Sequence, residues 1–249
     1  MQLQTDGVVL WAQPVGENDR LLTILTRANG LVRTFARGAR NFRSPNVAAT
    51  QQLAYSNFYI YMGRDSNSLN NSTPIRTFFG LHSDLNRLTL AQYFCELTGA
   101  LAPEGEKAEE HLRLLLNAFH LLETGAHPPR IIKAALEMRM MALSGYMPDL
   151  VGCCKCGQYE PAAMAFQLRE GNLICSSCAQ PSATPRLRLS PGVLAALRHT
   201  IYAPAQKLFS FELSEAGQRE LEQTAERYVT AQLERTFKTL DFYRRVAQA

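Results

Sequence analysis

The sequence predicts an α+β fold, in which a small N-terminal β-barrel precedes a helical domain with an inserted four-cysteine module. Three observations lead to this prediction. Short strands fill residues 1–80 without an intervening helix, the apolar period becomes helical after residue 81, and two Cys-x2-Cys pairs are separated by eighteen residues. The predicted domains are residues 1–80 and 81–249, with the cysteine module at about 150–185.

Turn signals divide residues 1–80 into five short strands. The sequence Gly-Glu-Asn-Asp at 16–19 favours a turn, and Asn29-Gly30 is among the strongest short hairpin signals. The Asn- and Ser-rich residues 65–72 are predicted to connect two strands. Five strands in succession suggest a barrel. The predicted strands are 3–11, 20–26, 31–37, 53–62 and 73–80.

Beyond residue 80 the apolar residues repeat with a helical period. Ser83 and Ser214 are placed to cap helices, and prolines suit the first turn of two others. The predicted helices run from Ser83 to about Ala102, over 107–124, over 128–146, from Pro191 to about Tyr202, and from Ser214 to near Phe237.

The two cysteine pairs have the spacing of a four-cysteine zinc site. A hairpin around Glu170-Gly171-Asn172 would fold one cysteine turn back on the other, as in a zinc ribbon. The alternative is a disulfide pair or free thiols, which a cytosolic setting disfavours. The predicted ligands are Cys153, Cys156, Cys175 and Cys178.

Four cysteinates close a tetrahedron around one Zn²⁺ per chain and leave no position for water, so the predicted zinc is structural. Cys154 adjoins a ligand and is interpreted as a bystander. Cys95 lies in an apolar helix and is predicted to belong to the core.

Two classes of protein, enzymes and membrane proteins, are disfavoured by the sequence. The five histidines are scattered outside metal-ligand spacings, and no nucleophile elbow, phosphate loop or paired-carboxylate motif occurs. The N-terminus lacks the build of a signal peptide, and no apolar run reaches the length of a membrane span. We therefore expect a cytoplasmic protein without catalytic residues.

Charge is distributed unevenly along the chain. From Arg20 to Arg64 there are seven arginines and no Asp, Glu, Lys or His, although charges are mixed elsewhere. Residues 1–80 contain eight arginines and four acidic residues, a net charge of +4. This end of the chain is therefore expected to attract a polyanion electrostatically.

Strand alternation predicts what the arginines face. Residues 32, 34 and 36 are small enough for a barrel interior, which leaves Arg33, Phe35 and Arg37 outside. Tyr55, Tyr59 and Tyr61 share one face of a later strand. Cations between flat rings suit single-stranded nucleic acid. The alternative is that the arginines are a solvated face and the tyrosines pack the barrel against the helices.

The sequence resembles the RecO family of bacterial DNA repair proteins over nearly the whole chain. The resemblance is carried by the order of three segments: GVVLWAQPVGENDRLLTILTRANGLVRTFARGAR, LSGYMPDLVGCCKCG and LERTFKTLDFYRRV. It implies that the barrel is an oligonucleotide/oligosaccharide-binding (OB) fold. It also implies a nucleoid-associated recombination mediator that binds single- and double-stranded DNA and anneals complementary strands.

The resemblance further implies protein partners and DNA contacts. The partners are RecR, with which the family loads RecA, and single-stranded DNA-binding protein. The family's DNA contacts correspond to Arg33 and Arg37, with Arg40 in the following loop, where many relatives have Lys-Gly-Ala-Arg in place of Arg37-Gly38-Ala39-Arg40. The complete set of predicted DNA-binding residues is Arg20, Arg33, Phe35, Arg37, Arg40 and Arg43.

The sequence is also compatible with two other functions and suggests one docking site for a partner. The chain could be an RNA-binding or transcription-associated zinc-ribbon adaptor, or a nuclease or other enzyme. An acidic partner tail with a hydrophobic end is predicted to dock in a groove between helices spanning 107–146, beside Met138, Met140 and Met141. Core packing is the expected role of any single one of these methionines.

Overall fold

The computed structural model describes residues 1–159, 163–181 and 186–247. They form two compact units. The first comprises Met1–Thr124 and the C-terminal residues from Phe237 onward, and the second is Gly125–Thr236. Helices that precede and follow the second unit in the sequence therefore belong to the same compact unit as the N-terminal strands.

Five strands at the start of the chain close into a barrel with the strand order β1-β2-β3-β5-β4. All pairs are antiparallel except β3 and β5, which meet in parallel. A five-stranded barrel of this kind is the OB fold, so the predicted α+β class and N-terminal barrel are confirmed. The strands are β1 (Gln2–Val15), β2 (Asp19–Thr26), β3 (Gly30–Ala36), β4 (Tyr55–Met62) and β5 (Asn67–Arg76).

The β2–β3 hairpin turns at Gly30, as the Asn-Gly signal predicts. Gly30 has a φ of +60°, which favours glycine. A Cβ atom at Gly30 would also lie 2.0 Å from the carbonyl oxygen of Pro103. The amide of the next residue, Leu31, donates to that same oxygen at 2.8 Å. The turn therefore needs glycine both for its backbone conformation and for this close approach.

Alternation along β3 separates the barrel interior from its surface. Val32, Thr34 and Ala36 are buried, whereas Arg33 and Phe35 are exposed, as predicted. The buried residues join an apolar cluster that fills the barrel. This cluster consists of Val9, Leu22, Ile24, Val32, Ala36, Ala39, Phe58, Ile60 and Leu69.

The boundaries predicted for the fifth strand are wrong. The Asn- and Ser-rich segment belongs to β5, and the chain enters a short helix at Phe79 instead of continuing as a strand to residue 80. β5 pairs with β4 along most of its length and buries Leu69 and Ser72. Closure of the barrel overrides the low strand propensity of asparagine, whose side chains suit the solvent-facing side.

Four helices complete the first unit. The predicted capping residue of the long helix is wrong by one position, because the carboxylate of Asp84 accepts from the amide of Arg87 at 3.0 Å. The hydroxyl of Ser83 instead donates to the carbonyl of Gly80. The helices are α1 (Phe79–His82), α2 (Leu85–Leu101), α3 (Glu109–Thr124) and α7 (Lys238–Ala247).

The described residues of the second unit form three α-helices that pack on one another and a small sheet with the strand order β6-β8-β7-β9. The helix predicted over 128–146 ends at Leu143, and the helix predicted to end near Phe237 ends at Leu233, where Glu234 adopts a left-handed conformation. The elements are α4 (Pro129–Leu143), α5 (Pro191–Tyr202), α6 (Glu215–Leu233), β6 (Asp149–Cys153), β7 (Met164–Gln167), β8 (Asn172–Cys175) and β9 (Arg186–Leu189).

The helices α4 and α6 pack around a buried charge cluster. The ammonium of Lys133 lies 2.8 Å from a carboxylate oxygen of Glu137 and 2.9 Å from one of Glu226. The methionines of α4 are also buried: Met138, Met140 and Met141 each have 0% exposure. Each of these methionines is a core residue, as expected for any single one of them, and none of them lines a docking groove for a partner tail. No described helix is long and apolar enough to cross a membrane.

A half-buried ion pair joins β1 to the turn that follows β2. Arg27 donates to both carboxylate oxygens of Asp6, and the hydroxyl of Tyr55 donates to one of them. Burial alone would raise the pKa of Asp6, but the hydrogen bonds from Arg27 and Tyr55 outweigh burial and lower it. Arg27 also reaches Glu109 of α3 at 2.9 Å, so this arginine is compensated within the protein.

Asp6→Asn is expected to lower the free energy of unfolding by about 1–3 kcal/mol at pH 7, because Arg27 loses its charged acceptor. A depressed folded pKa contributes stability above the unfolded value of 3.8, and this contribution is lost as the pH falls through the folded pKa. The difference between the variant and the wild type in urea unfolding should therefore shrink in acid. Asp65→Asn, at an exposed carboxylate of the same barrel, is the control. An equal loss of stability at neutral and acidic pH would contradict the ion-pair explanation.

Candidate nucleic-acid interface and metal centre

The outer face of β3 presents an arginine and an aromatic ring side by side. Arg33 lies opposite Thr23 of β2, and Phe35 lies opposite Leu21. On its other side Phe35 pairs with Ser68 of β5. Because side chains directly opposite one another point to the same side of a sheet, these residues form one continuous outer surface.

Tyr61 extends this surface by one strand. Tyr61 of β4 pairs with Ser68 of β5, so Phe35, Ser68 and Tyr61 form a row across three strands. Neighbouring strands are about 4.8 Å apart, which puts the two aromatic positions about 10 Å apart. Phe35 is 39% exposed and Tyr61 is 51% exposed. The interpretation that the tyrosines pack against helices does not hold for Tyr61, nor for Tyr59, which is 41% exposed.

Residues 37–46, here called the basic loop, follow β3 and are anchored at both ends. At the first end, the amide of Gly38 donates to the carboxylate of Asp19 at 2.8 Å, and the amide of Arg40 donates to the carbonyl of Asn18 at 2.9 Å. At the far end, the side-chain oxygen of Asn46 accepts from the amide and the hydroxyl of Ser72. Hydrogen bonds therefore fix the first end of the loop to the β1–β2 turn and its far end to β5.

Four arginines of this region lack a carboxylate partner. Among residues 1–159, 163–181 and 186–247, no acidic side chain forms an ion pair with any of them. All four are exposed, so their charge is available to an external anion. They are Arg33, Arg37, Arg40 and Arg43.

Arg20, the first arginine of the acid-free stretch, is positioned differently. Its guanidinium donates to the carbonyl of Val47 at 3.1 Å and to the hydroxyl of Thr50 at 2.7 Å. Burial and the nearby charge of Arg40 lower the pKa of Arg20. Its role within the protein is to hold the segment after the basic loop, and its contact with DNA stays a prediction.

The four predicted metal ligands converge at one end of the second sheet. Cys153 ends β6 and Cys175 ends β8, two strands that pair in parallel, and Cys156 and Cys178 lie in the turns that follow. All four sulfur atoms lie within 4.8 Å of one another. The hairpin predicted to bring the pairs together is also present, with Gly171 at a φ of +65° between β7 and β8.

The spacing of the four sulfur atoms fits a metal ion. Cys156 and Cys175 have sulfurs 3.8 Å apart, and a tetrahedral ion with bonds of about 2.3 Å would set its sulfurs about 3.8 Å apart. Burial raises the pKa of Cys153, but amide donors from Cys175, Cys156 and Lys155 outweigh it and lower the pKa to about 6. Hydrogen bonds with the neighbouring sulfurs of Cys175 and Cys156 raise the pKa of Cys178 to about 12.

Comparison with known proteins identifies the family. The family model described as Recombination protein O N terminal matches residues 1–78, and Recombination protein O C terminal matches residues 82–241. The DNA repair protein RecO of Acetivibrio thermocellus is 33% identical over 240 residues, which cover 96% of this chain and 95% of that protein. The chain belongs to the RecO family.

Other RecO proteins match at similar levels. The DNA repair protein RecO of Desulforudis audaxviator is 31% identical over 249 residues, covering 98% of this chain and 97% of that protein. That of Symbiobacterium thermophilum is 29% identical over 240 residues, covering 95% and 94%. This RecO family member is accordingly one of a group of DNA repair proteins, and the predicted family is confirmed.

Arg198 of α5 supports the cysteine centre of this RecO family member, and sequence reasoning missed it. Its guanidinium donates to three carbonyl oxygens around the first cysteine pair, at 2.8 Å to Leu150, 3.0 Å to Val151 and 2.9 Å to Tyr159. It also lies 3.9 Å above the ring of Tyr159. Only the planar, five-donor shape of arginine allows this set of contacts. A lone arginine in an amphipathic helix carries no sequence signal for such a role.

Arg198→Lys is expected to destabilise the sheet of the second unit by about 1–3 kcal/mol. A lysine ammonium cannot donate to all three carbonyl oxygens at once or stack on the ring of Tyr159. Urea unfolding and the rate of metal loss to a chelator would measure the effect. Arg188→Lys, at an exposed position on β9, is the matched control. Equal behaviour of the two variants would show that Arg198 is only a surface cation.

Proposed function

We propose that this chain is a recombination mediator that binds single- and double-stranded DNA through the outer face of its barrel and the basic loop. The observation that carries the proposal is the set of exposed arginines that form no ion pair with any described acidic residue, beside the exposed ring of Phe35. Arginines that neutralise phosphates release counterions and provide affinity, while aromatic rings stack on unpaired bases. The DNA contacts proposed are Arg33, Phe35, Arg37, Arg40 and Arg43, with Arg20 supporting the loop.

The proposal includes strand annealing and handover of DNA to a recombinase. A cationic surface reduces the repulsion between two phosphate backbones and lets bases pair without covalent chemistry, so the protein acts without a catalytic residue. Membership of the RecO family supports RecR as partner, with RecA loaded onto strands covered by single-stranded DNA-binding protein. A nucleoid-associated, cytoplasmic location accords with these partners.

We further propose that the cysteine centre holds one structural Zn²⁺. Thiolate ligands in a tetrahedral set favour zinc, and four protein ligands leave no open position for substrate. Cys153, Cys156, Cys175 and Cys178 would hold the ion, which would tie the ends of β6 and β8 together. Exposed Cys154 lies outside this set.

A competition experiment tests the proposed function. A labelled DNA oligomer bound to the protein is displaced by unlabelled DNA or RNA of the same sequence, and annealing of complementary DNA strands is followed by fluorescence energy transfer. Preferential competition by DNA, together with accelerated annealing, is expected. Preference for RNA without annealing would favour an RNA-binding adaptor, and strand cleavage in the presence of Mg²⁺ would favour a nuclease.

A further inference from the structure

Phe42 is the most exposed large apolar side chain among the described residues. It is 98% exposed, compared with 39% for Phe35 and 51% for Tyr61. An aromatic ring in this position contacts essentially no other part of the chain and is solvated on both faces. A ring exposed to this degree has both of its apolar faces free to stack on a flat partner.

Phe42 is exposed because hydrogen bonds hold the loop around it in an ordered turn. Its backbone is held by two short-range hydrogen bonds, from the amide of Asn41 to the carbonyl of Gly38 at 3.0 Å and from the amide of Ser44 to the carbonyl of Asn41 at 2.8 Å. The side chain of Asn41 also accepts from the amide of Arg43 at 3.1 Å. Buried Ala39 inserts into the barrel core just before this turn. The loop therefore holds its tip, with the ring of Phe42, away from the barrel.

The surroundings of Phe42 determine what can cover it. Arg40 and Arg43 flank it, both are exposed, and neither forms an ion pair with an acidic residue in the described part of the chain. A ligand at this tip must therefore offer negative charge on both sides of a flat apolar surface. A nucleotide strand offers this combination, because each base has an apolar face and is flanked by phosphates.

We propose that Phe42 stacks on an unpaired base of single-stranded DNA, while Arg40 and Arg43 bind the neighbouring phosphates. This inference rests on the proposed function and adds to it a base-binding point on the loop, separate from the row formed by Phe35 and Tyr61 on the strands. Stacking on a ring that is free on both faces needs an unpaired base, so the loop tip selects single strands. In duplex DNA the bases are paired and stacked, so only its phosphates would contact these arginines.

The test compares two ligands that share a phosphate backbone. One is an oligomer of thymidylate, and the other is an oligomer of equal length with abasic tetrahydrofuran residues. Phe42→Ala is expected to weaken binding to the thymidylate oligomer by about 5- to 150-fold and to leave binding to the abasic oligomer unchanged. Phe42→Tyr, which keeps a flat ring, should bind both oligomers like the wild type. Because Phe42 is solvated, both variants should unfold at the wild-type urea concentration.

Phe79→Ala is the matched control, since Phe79 is 75% exposed in the same compact unit but lies outside the acid-free stretch. It should leave the affinity for both oligomers unchanged. An equal loss of affinity for both oligomers in Phe42→Ala, or no loss for either, would overturn the stacking role while leaving the proposed function intact. A wild-type protein that binds neither oligomer would refute the proposed function itself, and the inference with it.

Discussion

Replacing Arg33, Arg37 and Arg43 together by glutamine is expected to reduce the affinity for single-stranded DNA by about 100-fold at 0.1 M salt. Each phosphate contact contributes about 0.7 to the slope of log K against log[salt] on single strands, so three contacts contribute about two units. The slope should flatten by that amount, and the loss should be similar for all sequences. Arg40 is left unchanged because its guanidinium also donates to the carbonyl of Gly16 at 3.1 Å.

A matched triple variant separates local contacts from net charge. Arg113, Arg219 and Arg227 are exposed arginines on helices α3 and α6, and their replacement by glutamine removes the same total charge. Affinity and slope should change little in this control. If the two triple variants lose affinity equally, then the arginines of β3 and the basic loop act only through net charge, and the barrel is not the specific DNA surface.

Cys175→Ser is expected to abolish tight metal binding and to unfold the sheet formed by β6 to β9. Structural zinc sites in small modules contribute on the order of 10 kcal/mol of apparent binding free energy at neutral pH, and this contribution is folding free energy. The purified wild type should contain one zinc per chain, whereas the variant should lose metal to a chelator. Hydrogen exchange of the β6 and β8 amides should accelerate strongly, while that of the barrel strands should not.

Cys154→Ser provides the control for this experiment. Cys154 is exposed and adjoins Cys153, but it does not belong to the group of four converging sulfurs. The same change of sulfur to oxygen at this position should leave metal content and hydrogen exchange unchanged. Wild-type protein without metal, with four freely titratable thiols at the centre, would contradict the zinc proposal.

Much of the candidate site could be predicted from local sequence patterns. Alternation along residues 31–37 assigns Arg33 and Phe35 to the outside because a strand places successive side chains on opposite faces. The Asn29-Gly30 turn and the cysteine spacing are likewise local, since each depends on a few neighbouring residues. These elements agree with the structure.

Features that depend on distant contacts were mispredicted or missed. The Asn- and Ser-rich part of β5 becomes a strand because it closes the barrel between β3 and β4. Arg198 acquires its role only when α5 lies beside Leu150 and Tyr159. Neither periodicity nor composition reports such non-local pairings.

The exposure of Phe42 could not be predicted from the sequence, for a different reason. The sequence displays an aromatic residue between Arg40 and Arg43, but it does not reveal whether the ring is buried. A phenylalanine in a loop commonly folds back onto the barrel, and only the hydrogen-bonded turns of the basic loop show that this ring points away from it.

Photochemical cross-linking tests most directly whether the barrel face binds DNA. A single-stranded oligomer with 5-bromodeoxyuridine is irradiated in complex with the full-length protein, and the cross-linked peptides are identified by mass spectrometry. We predict that the cross-links fall within residues 31–46 and 55–61, which contain Phe35, Phe42 and Tyr61. Cross-links confined to residues 125–236, with none on the barrel, would contradict the assignment of the barrel as the DNA-binding surface.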